Sequence, residues 1–159
     1  FPRQLREIRR CCPDSSLPPG NGKRDVLGGS LVTMGSIASQ SSQQLFEANL
    51  YDDYLHFHGL SVESAEALAE WMHKKIRVES GFAEDDGDSV EQLFRQSYRG
   101  SRYSFGYPAC PRLEDQEKLF KLIDAAAVGV ELSDEYQLHP EQSTSAIVVH
   151  HQDATYFSI

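Results

Sequence analysis

The chain has 159 residues, a formal net charge of −9, 40% hydrophobic and 25% charged residues. These values predict one globular domain with an ordinary core, and the acidity argues against a non-specific nucleic-acid binder, which would carry a basic face. Three cysteines, Cys11, Cys12 and Cys110, speak against a disulfide framework or a four-cysteine zinc site and fit a reducing cytoplasm. No run is long and apolar enough for a membrane span, no leader-like segment opens the chain, and a first residue of Phe1 is what a fragment of a longer chain would show.

Residues 1–12 are basic through Arg3, Arg6, Arg9 and Arg10, and Pro13 to Gly22 is turn chemistry throughout, which predicts a surface loop. Residues 25–35, with Val26, Leu27, Leu31, Val32 and Met34, read as a core strand weakened by Gly28-Gly29. Ser36 to Asn49 reads as a short helix. Tyr51 to about Glu79 is the strongest helical signal, because Val62, Ala65, Ala69, Met72 and Ile76 recur at three- and four-residue steps. Gly59 and Ser61 allow a kink or break in it. A second stripe, Glu66, Glu70, His73 and Arg77, follows the same steps and reads as a solvated face laced with ion pairs.

Residues 83–89 form an acidic linker. Ser89-Val90-Glu91-Gln92 is a capping box, predicting a helix from Val90 to about Tyr98. The run Arg102-Tyr103-Ser104-Phe105-Gly106-Tyr107-Pro108-Ala109-Cys110-Pro111 mixes an arginine, a glycine, two prolines and three aromatics, which predicts a rigid, shaped loop rather than a helix or central strand. Arg102 stands at its start with a fork suited to a carboxylate or phosphate. That segment reads either as the wall of a ligand site or as a connector whose arginine pairs with a neighbouring acid. Glu114 to Ala127 reads as another helix and Val128 to Leu132 as a short strand. Residues 145–150 and 155–159 bracket the turn residues Gln152-Asp153, predicting an antiparallel hairpin. The fold class that follows is α+β, a mostly antiparallel sheet packed by helices.

The residues themselves indicate no catalytic centre. His56 and His58 fall on different faces of a helix, and adjacent His150 and His151 point to opposite faces of a strand, so no metal site is expected. Cys110 has no basic activator beside it in sequence and reads as packing. The glycines match neither phosphate-binding fingerprint.

The run from Arg102 to Cys110 resembles the activation domain of cobalamin-dependent methionine synthase. The resemblance extends to Ser64–His73, Tyr98–Arg102, Leu132–Tyr136, Ser143–Ala146 and Tyr156-Phe157, covering nearly the whole chain after about residue 24. It implies a C-shaped α+β domain around a bent antiparallel sheet at 25–159, with a diverged basic and Pro/Gly-rich segment at 1–24. It also implies an S-adenosylmethionine-binding module that supports reductive methylation of cob(II)alamin to methylcobalamin. Cobalamin would be bound by another domain of the parent methyltransferase, and an electron would come from flavodoxin or a related reductase. Such a module is not catalytic alone, since the cobalamin, folate and homocysteine sites lie elsewhere.

In that resemblance Arg102 is the motif arginine, facing the methionyl carboxylate. Glu66 is a family acid near the cationic end of the ligand. Gly106, Tyr107, Pro108 and Ala109 offer backbone and close approach to the adenosine, and Tyr156 and Phe157 form a closing aromatic pair. A site aspartate that the family draws from its N-terminal part has no counterpart here, and Cys12-Pro13-Asp14-Ser15 stands where the family has a Leu-x-Asp-Phe pattern. The alternative these departures leave open is a diverged remnant or interaction domain that keeps the fold without binding S-adenosylmethionine.

Overall fold

The computed structural model describes residues 27–87 and 89–155. The expectations for residues 1–24 and for Tyr156 and Phe157 therefore lie outside the described residues. Along the chain run β1 (Leu27–Thr33), α1 (Gly35–Glu47), α2 (Tyr51–Glu79), α3 (Val90–Phe94), β2 (Ser101–Ser104), α4 (Gln116–Phe120), β3 (Glu131–Leu132), β4 (Leu138–His139) and β5 (Ser143–Val149). The main sheet is antiparallel in the order β1-β5-β2, and β3 and β4 form a separate two-stranded ribbon. The α+β class and the antiparallel sheet are as the sequence predicts.

The centre of the sheet is β5, which runs Ser143-Thr144-Ser145-Ala146-Ile147-Val148-Val149 and is buried from Ser145 onward. A strand buried on both faces loses the polar alternation of a half-exposed one. β1 pairs along all of it, Leu27 with Val149 through Thr33 with Ser143, and β2 takes the other edge, Ser101 with Val149 through Ser104 with Ala146. The hairpin expected from 155–159 lies, apart from Thr155, outside the described residues. The two neighbours of β5 over 146–149 are β1 and β2.

Side-chain alternation gives the sheet two faces. Gly28, Val148 and Arg102 share the one that carries α2, since a Cβ at Gly28 would lie 3.2 Å from Val148 Cβ and 3.8 Å from Ile76 Cγ2. Tyr103, Ile147 and Val149 turn to the other and pack with Ala109, Cys110 and Ala154. There a Cβ at Gly29 would fall 2.5 Å from Leu119 Cδ1, so the bare glycine lets α4 lie directly on the strand.

α1 and α2 form where the sequence leads one to expect helices. α1 ends with Asn49 at φ 60°, the Asn49 N–H donating to Phe46 O and the Leu50 N–H to Leu45 O, the paired bonds of a left-handed helix cap. α2 is a single 29-residue helix with no break at Gly59; the Ser61 hydroxyl instead donates back to Phe57 O at 2.8 Å. Its buried residues are Ser61, Ala65, Ala69, His73 and Arg77, a strict four-residue row. The expectation of a solvated His73 and Arg77 is thus corrected: they are 1% and 0% exposed. The small Ser61, Ala65 and Ala69 bring the helix close to the sheet, and the row continues inward to the long side chains. Trp71, which the helix could have buried, is 56% exposed.

Three further expectations change. The capping box at Ser89 and Gln92 is present, with both reciprocal bonds, but α3 stops at Phe94 because Gln96 turns left-handed at φ 55°. The helix expected over 114–127 is a 3₁₀ turn at Leu113–Asp115, the short α4, and a second 3₁₀ turn at Ala125–Val128. Asp124 causes that restart by accepting a hydrogen bond from the Ala127 N–H on its side chain, and Gly129 ends it at φ 70°. Val128 therefore belongs to the turn, and β3 is only Glu131–Leu132. Lastly, Ser101–Ser104 is strand rather than loop. Its buried–half-buried alternation suits an edge position, and β5 offers the partner.

Buried glutamines tie the pieces together. Gln116 donates to Tyr136 O at 2.9 Å and accepts from Ser145 Oγ at 2.8 Å, joining α4 to β5. Gln142 accepts from Ser39 Oγ at 2.7 Å while its backbone carbonyl accepts from the Met34 N–H at 2.9 Å, joining α1 to the start of β5. Paired on both sides, such groups specify one docking geometry instead of costing stability.

Candidate functional site

Between the C-terminal half of α2 and strand β2 lies a cleft of about 490 Å³, lined by Glu66, Glu70, Gln96, Tyr98, Arg102 and Tyr107, with Val62, Ser101, Ser104 and Thr144. Its polar groups converge because Arg102 and Ser104 occupy the helix-side face of β2, opposite Val148 and Ala146. Glu66 and Glu70, one turn apart on α2, face them across the gap. A Cβ at Gly100 would lie 2.5 Å from Val149 O, and its φ is +85°; only glycine lets the chain turn here and start β2 against β5.

Arg102 is the focus. Its Nη1 donates to Glu70 Oε2 at 2.5 Å and its Nη2 to Glu66 Oε2 at 3.3 Å. The Tyr98 hydroxyl donates to the same Glu70 oxygen at 3.4 Å. Glu70 Oε1 is buried with no hydrogen-bond partner among the described residues, an acceptor that a donor would satisfy. Among the described residues two of the guanidinium's five N–H donors are engaged, which leaves Nε and one hydrogen on each terminal nitrogen for a further acceptor.

Behind the cleft the Tyr98 ring lies over the Arg77 guanidinium, 3.9 Å from carbon to centroid, and meets the His73 ring edge-on at 5.2 Å. Burial, then the Glu70 charge, pushes the Tyr98 phenol up to about 12, so it donates at any working pH. Burial, then the Arg77 and Arg102 charges, pushes the His73 imidazole down to about 3, so it stays neutral. Arg77 is bound by Asp86 through Nε and Nη2, at 2.8, 3.1 and 2.9 Å.

Arg102, Glu66 and Tyr107 are thus brought to one cleft. The loop beyond β2 is a tight turn in which Gly106, at φ +86°, donates its N–H to Cys110 O and the Cys110 N–H donates to Tyr107 O, both at 2.8 Å. Tyr107 and Pro108 are exposed, whereas Ala109 and Cys110 are buried at 7% and 6%. Ala109 and Cys110 line a different, mostly apolar cavity of about 770 Å³ on the opposite face of the sheet, with Leu119, Ile123 and Ile147. Sequence reasoning did not single out Glu70, Gln96 and Tyr98 as site residues. Glu70 sat in plain view in the polar stripe, and only the approach of β2 distinguishes it from a solvated acid.

Fold and cleft define a mixed helix-and-sheet domain whose polar cleft joins one arginine to two carboxylates. The family model described as vitamin B12 dependent methionine synthase, activation domain, matches residues 2–159, and the chain belongs to that family. It is 45% identical over 169 aligned positions to methionine synthase of Mycobacterium tuberculosis (strain ATCC 25618 / H37Rv), and 44% identical over 169 to that of Mycobacterium leprae (strain TN). In both cases all of this chain is covered but only 14% of the relative. Among solved structures it is similar to the MetH reactivation domain bound to AdoHcy, with a TM-score of 0.77 and 28% identity over 83% of this chain and 41% of that one.

Proposed function

We propose that the chain is the S-adenosylmethionine-binding reactivation module of a cobalamin-dependent methionine synthase, supporting reductive methylation of cob(II)alamin to methylcobalamin. The observation that carries this reading is the Arg102 guanidinium, set between Glu66 and Glu70 at the cleft with N–H groups to spare. Support comes from the family match and from a structural neighbour bound to AdoHcy. The fit is one of size as well. A volume of about 490 Å³ lies within the ordinary range for small-molecule sites.

The bound ligand would supply a methyl group on a cationic sulfonium. Arg102 would receive the methionyl carboxylate through two parallel N–H bonds, which fix orientation as well as affinity. Glu66, 54% exposed and only loosely paired, would lie against the cationic end. Tyr107 would wall the adenosine beside the backbone of Gly106 and Pro108, and Tyr156 and Phe157 would close the site. In this reading residues 25–159 form the binding domain beside a distinct segment at 1–24. The cobalamin-binding domain of the parent enzyme and flavodoxin or a related reductase are its partners, in the cytoplasm.

Calorimetric titration of the 159-residue chain with S-adenosylmethionine tests the reading. Saturable binding is expected, weakened in Arg102→Ala on the order of thirtyfold or more. Unchanged affinity in the variant would remove the arginine from the site, and no binding by a folded chain would favour an interaction domain that keeps only the fold.

A further inference from the structure

The two carboxylates that meet Arg102 are not equivalent. Glu70 holds it at 2.5 Å and is 31% exposed, whereas Glu66 stands at 3.3 Å and is 54% exposed. Glu70 is also held from behind, since its Oε2 accepts from the Tyr98 hydroxyl. Tyr98 in turn is clamped between the Arg77 guanidinium and the His73 ring, and Arg77 is locked to Asp86. A continuous line of contacts runs from Asp86 through Arg77, Tyr98 and Glu70 to Arg102, and Arg77 within it is fully buried. Among the described residues no such chain backs Glu66, whose partner is Arg102.

We propose that Glu70 is the positioning residue that fixes the Arg102 guanidinium for a ligand carboxylate, with Tyr98 setting Glu70, while Glu66 is left available to the cationic part of the ligand. This inference rests on the S-adenosylmethionine reading of the cleft. The physical reason is the freedom of the arginine side chain. Unrestrained, it must be ordered at the cost of affinity when ligand binds, whereas a guanidinium already held on one side presents its remaining N–H groups without that loss. The bonds to Glu70 and Glu66 leave Nε and part of both terminal nitrogens unengaged, so positioning and ligand binding are compatible.

The test titrates the 159-residue chain, Glu70→Gln and Tyr98→Phe with two probes. S-adenosylhomocysteine carries the amino-acid carboxylate; 5′-methylthioadenosine keeps the nucleoside and lacks it. Glu70→Gln should weaken S-adenosylhomocysteine about tenfold, the loss expected from weakening a charge-assisted bond, and leave methylthioadenosine unchanged. Tyr98→Phe, which keeps the ring contacts and so the fold, should show a smaller loss with the same selectivity. Equal losses on both probes would reveal a merely structural role and overturn the inference, as would unchanged S-adenosylhomocysteine binding by both variants. A folded parent chain that binds neither probe would overturn the S-adenosylmethionine reading itself, and this inference with it.

Discussion

The guanidinium of Arg77 lies over the ring of Tyr98, 3.9 Å from carbon to centroid, with Asp86 gripping its edge. A fully buried arginine is tolerable only when paired and stacked in this way. The pair joins the end of α2 to the 3₁₀ turn at Ala83–Asp85 and to the segment that enters β2, so it braces the back wall of the cleft.

Arg77→Met should therefore destabilise the fold by about 3–5 kcal/mol, because it strands the Asp86 carboxylate. Adding Asp86→Leu should recover much of that loss, since a buried ion pair is worth little more than a well-packed apolar one. Chemical denaturation of the single and double variants checks both halves. A double variant no more stable than Arg77→Met would show that the stack on Tyr98, rather than the charge pairing, dominates.

His73 predicts acid sensitivity. Its folded value is near 3 against an unfolded value of 6.5, so below 6.5 the unfolded chain takes up a proton that the folded chain refuses. The stability His73 permits is full above pH 6.5 and falls as the pH drops toward 3, with a slope approaching about 1.4 kcal/mol per pH unit. Among the described residues the Arg77 and Arg102 charges act on it and the Tyr98 ring meets it edge-on. Unfolding free energies measured from pH 7 to 4 should fall less steeply in His73→Phe than in the parent. Parallel curves would mean that the imidazole gains a proton in the folded state.

Gly29 and Gly100 should be intolerant of side chains for different reasons. At Gly29 a Cβ meets Leu119 Cδ1 at 2.5 Å, so Gly29→Val should cost about 1–3 kcal/mol by overpacking, and Leu119→Ala in the same chain should relieve part of it. At Gly100 the obstacle is the Val149 carbonyl at 2.5 Å together with a φ of +85°. Backbone cannot retreat as a leucine tip can, so Gly100→Ala should be the more damaging. Thermal melts rank the variants.

Gln96 turns left-handed at φ 55°, with its N–H donating to Leu93 O and the Ser97 N–H to Gln92 O. Glycine is the residue that adopts this conformation without strain. Gln96→Gly should thus raise stability by up to about 1 kcal/mol, an unusual outcome for a residue lining a cleft. A lower melting temperature would show that the side chain contributes packing that outweighs the backbone strain.

Most of the architecture was legible from local signals. Hydrophobic periodicity placed α2, the capping box placed the start of α3, and β-branched runs placed β1 and β5. Each depends on residues a few positions apart, which the sequence displays directly. The arginine of the site was legible for a similar reason: Arg102 precedes a run of glycine, proline and aromatics whose only economical conformation is a fixed turn. The family resemblance then supplied a ligand class that spacing alone did not.

What depended on distant partners was not legible. Nothing local distinguishes the four-residue row of α2 that buries His73 and Arg77 from a solvated polar stripe; the small Ser61, Ala65 and Ala69 and the sheet they approach decide it. The expected helix over 114–127 was interrupted by the Asp124 cap while α4 docked Leu119 against Gly29. Glu70 became the partner of Arg102 only because β2 pairs with β5 in the register that turns Arg102 toward α2. The sequence by itself determined α1, α2, the start of α3, β1, β5 and the arginine, since those follow from local pattern and turn chemistry. The tertiary structure alone decided which charges are buried, which acids meet the arginine and where the cleft opens, because those depend on the packing of α2 against a sheet whose central strand, β5, lies far from α2 in sequence.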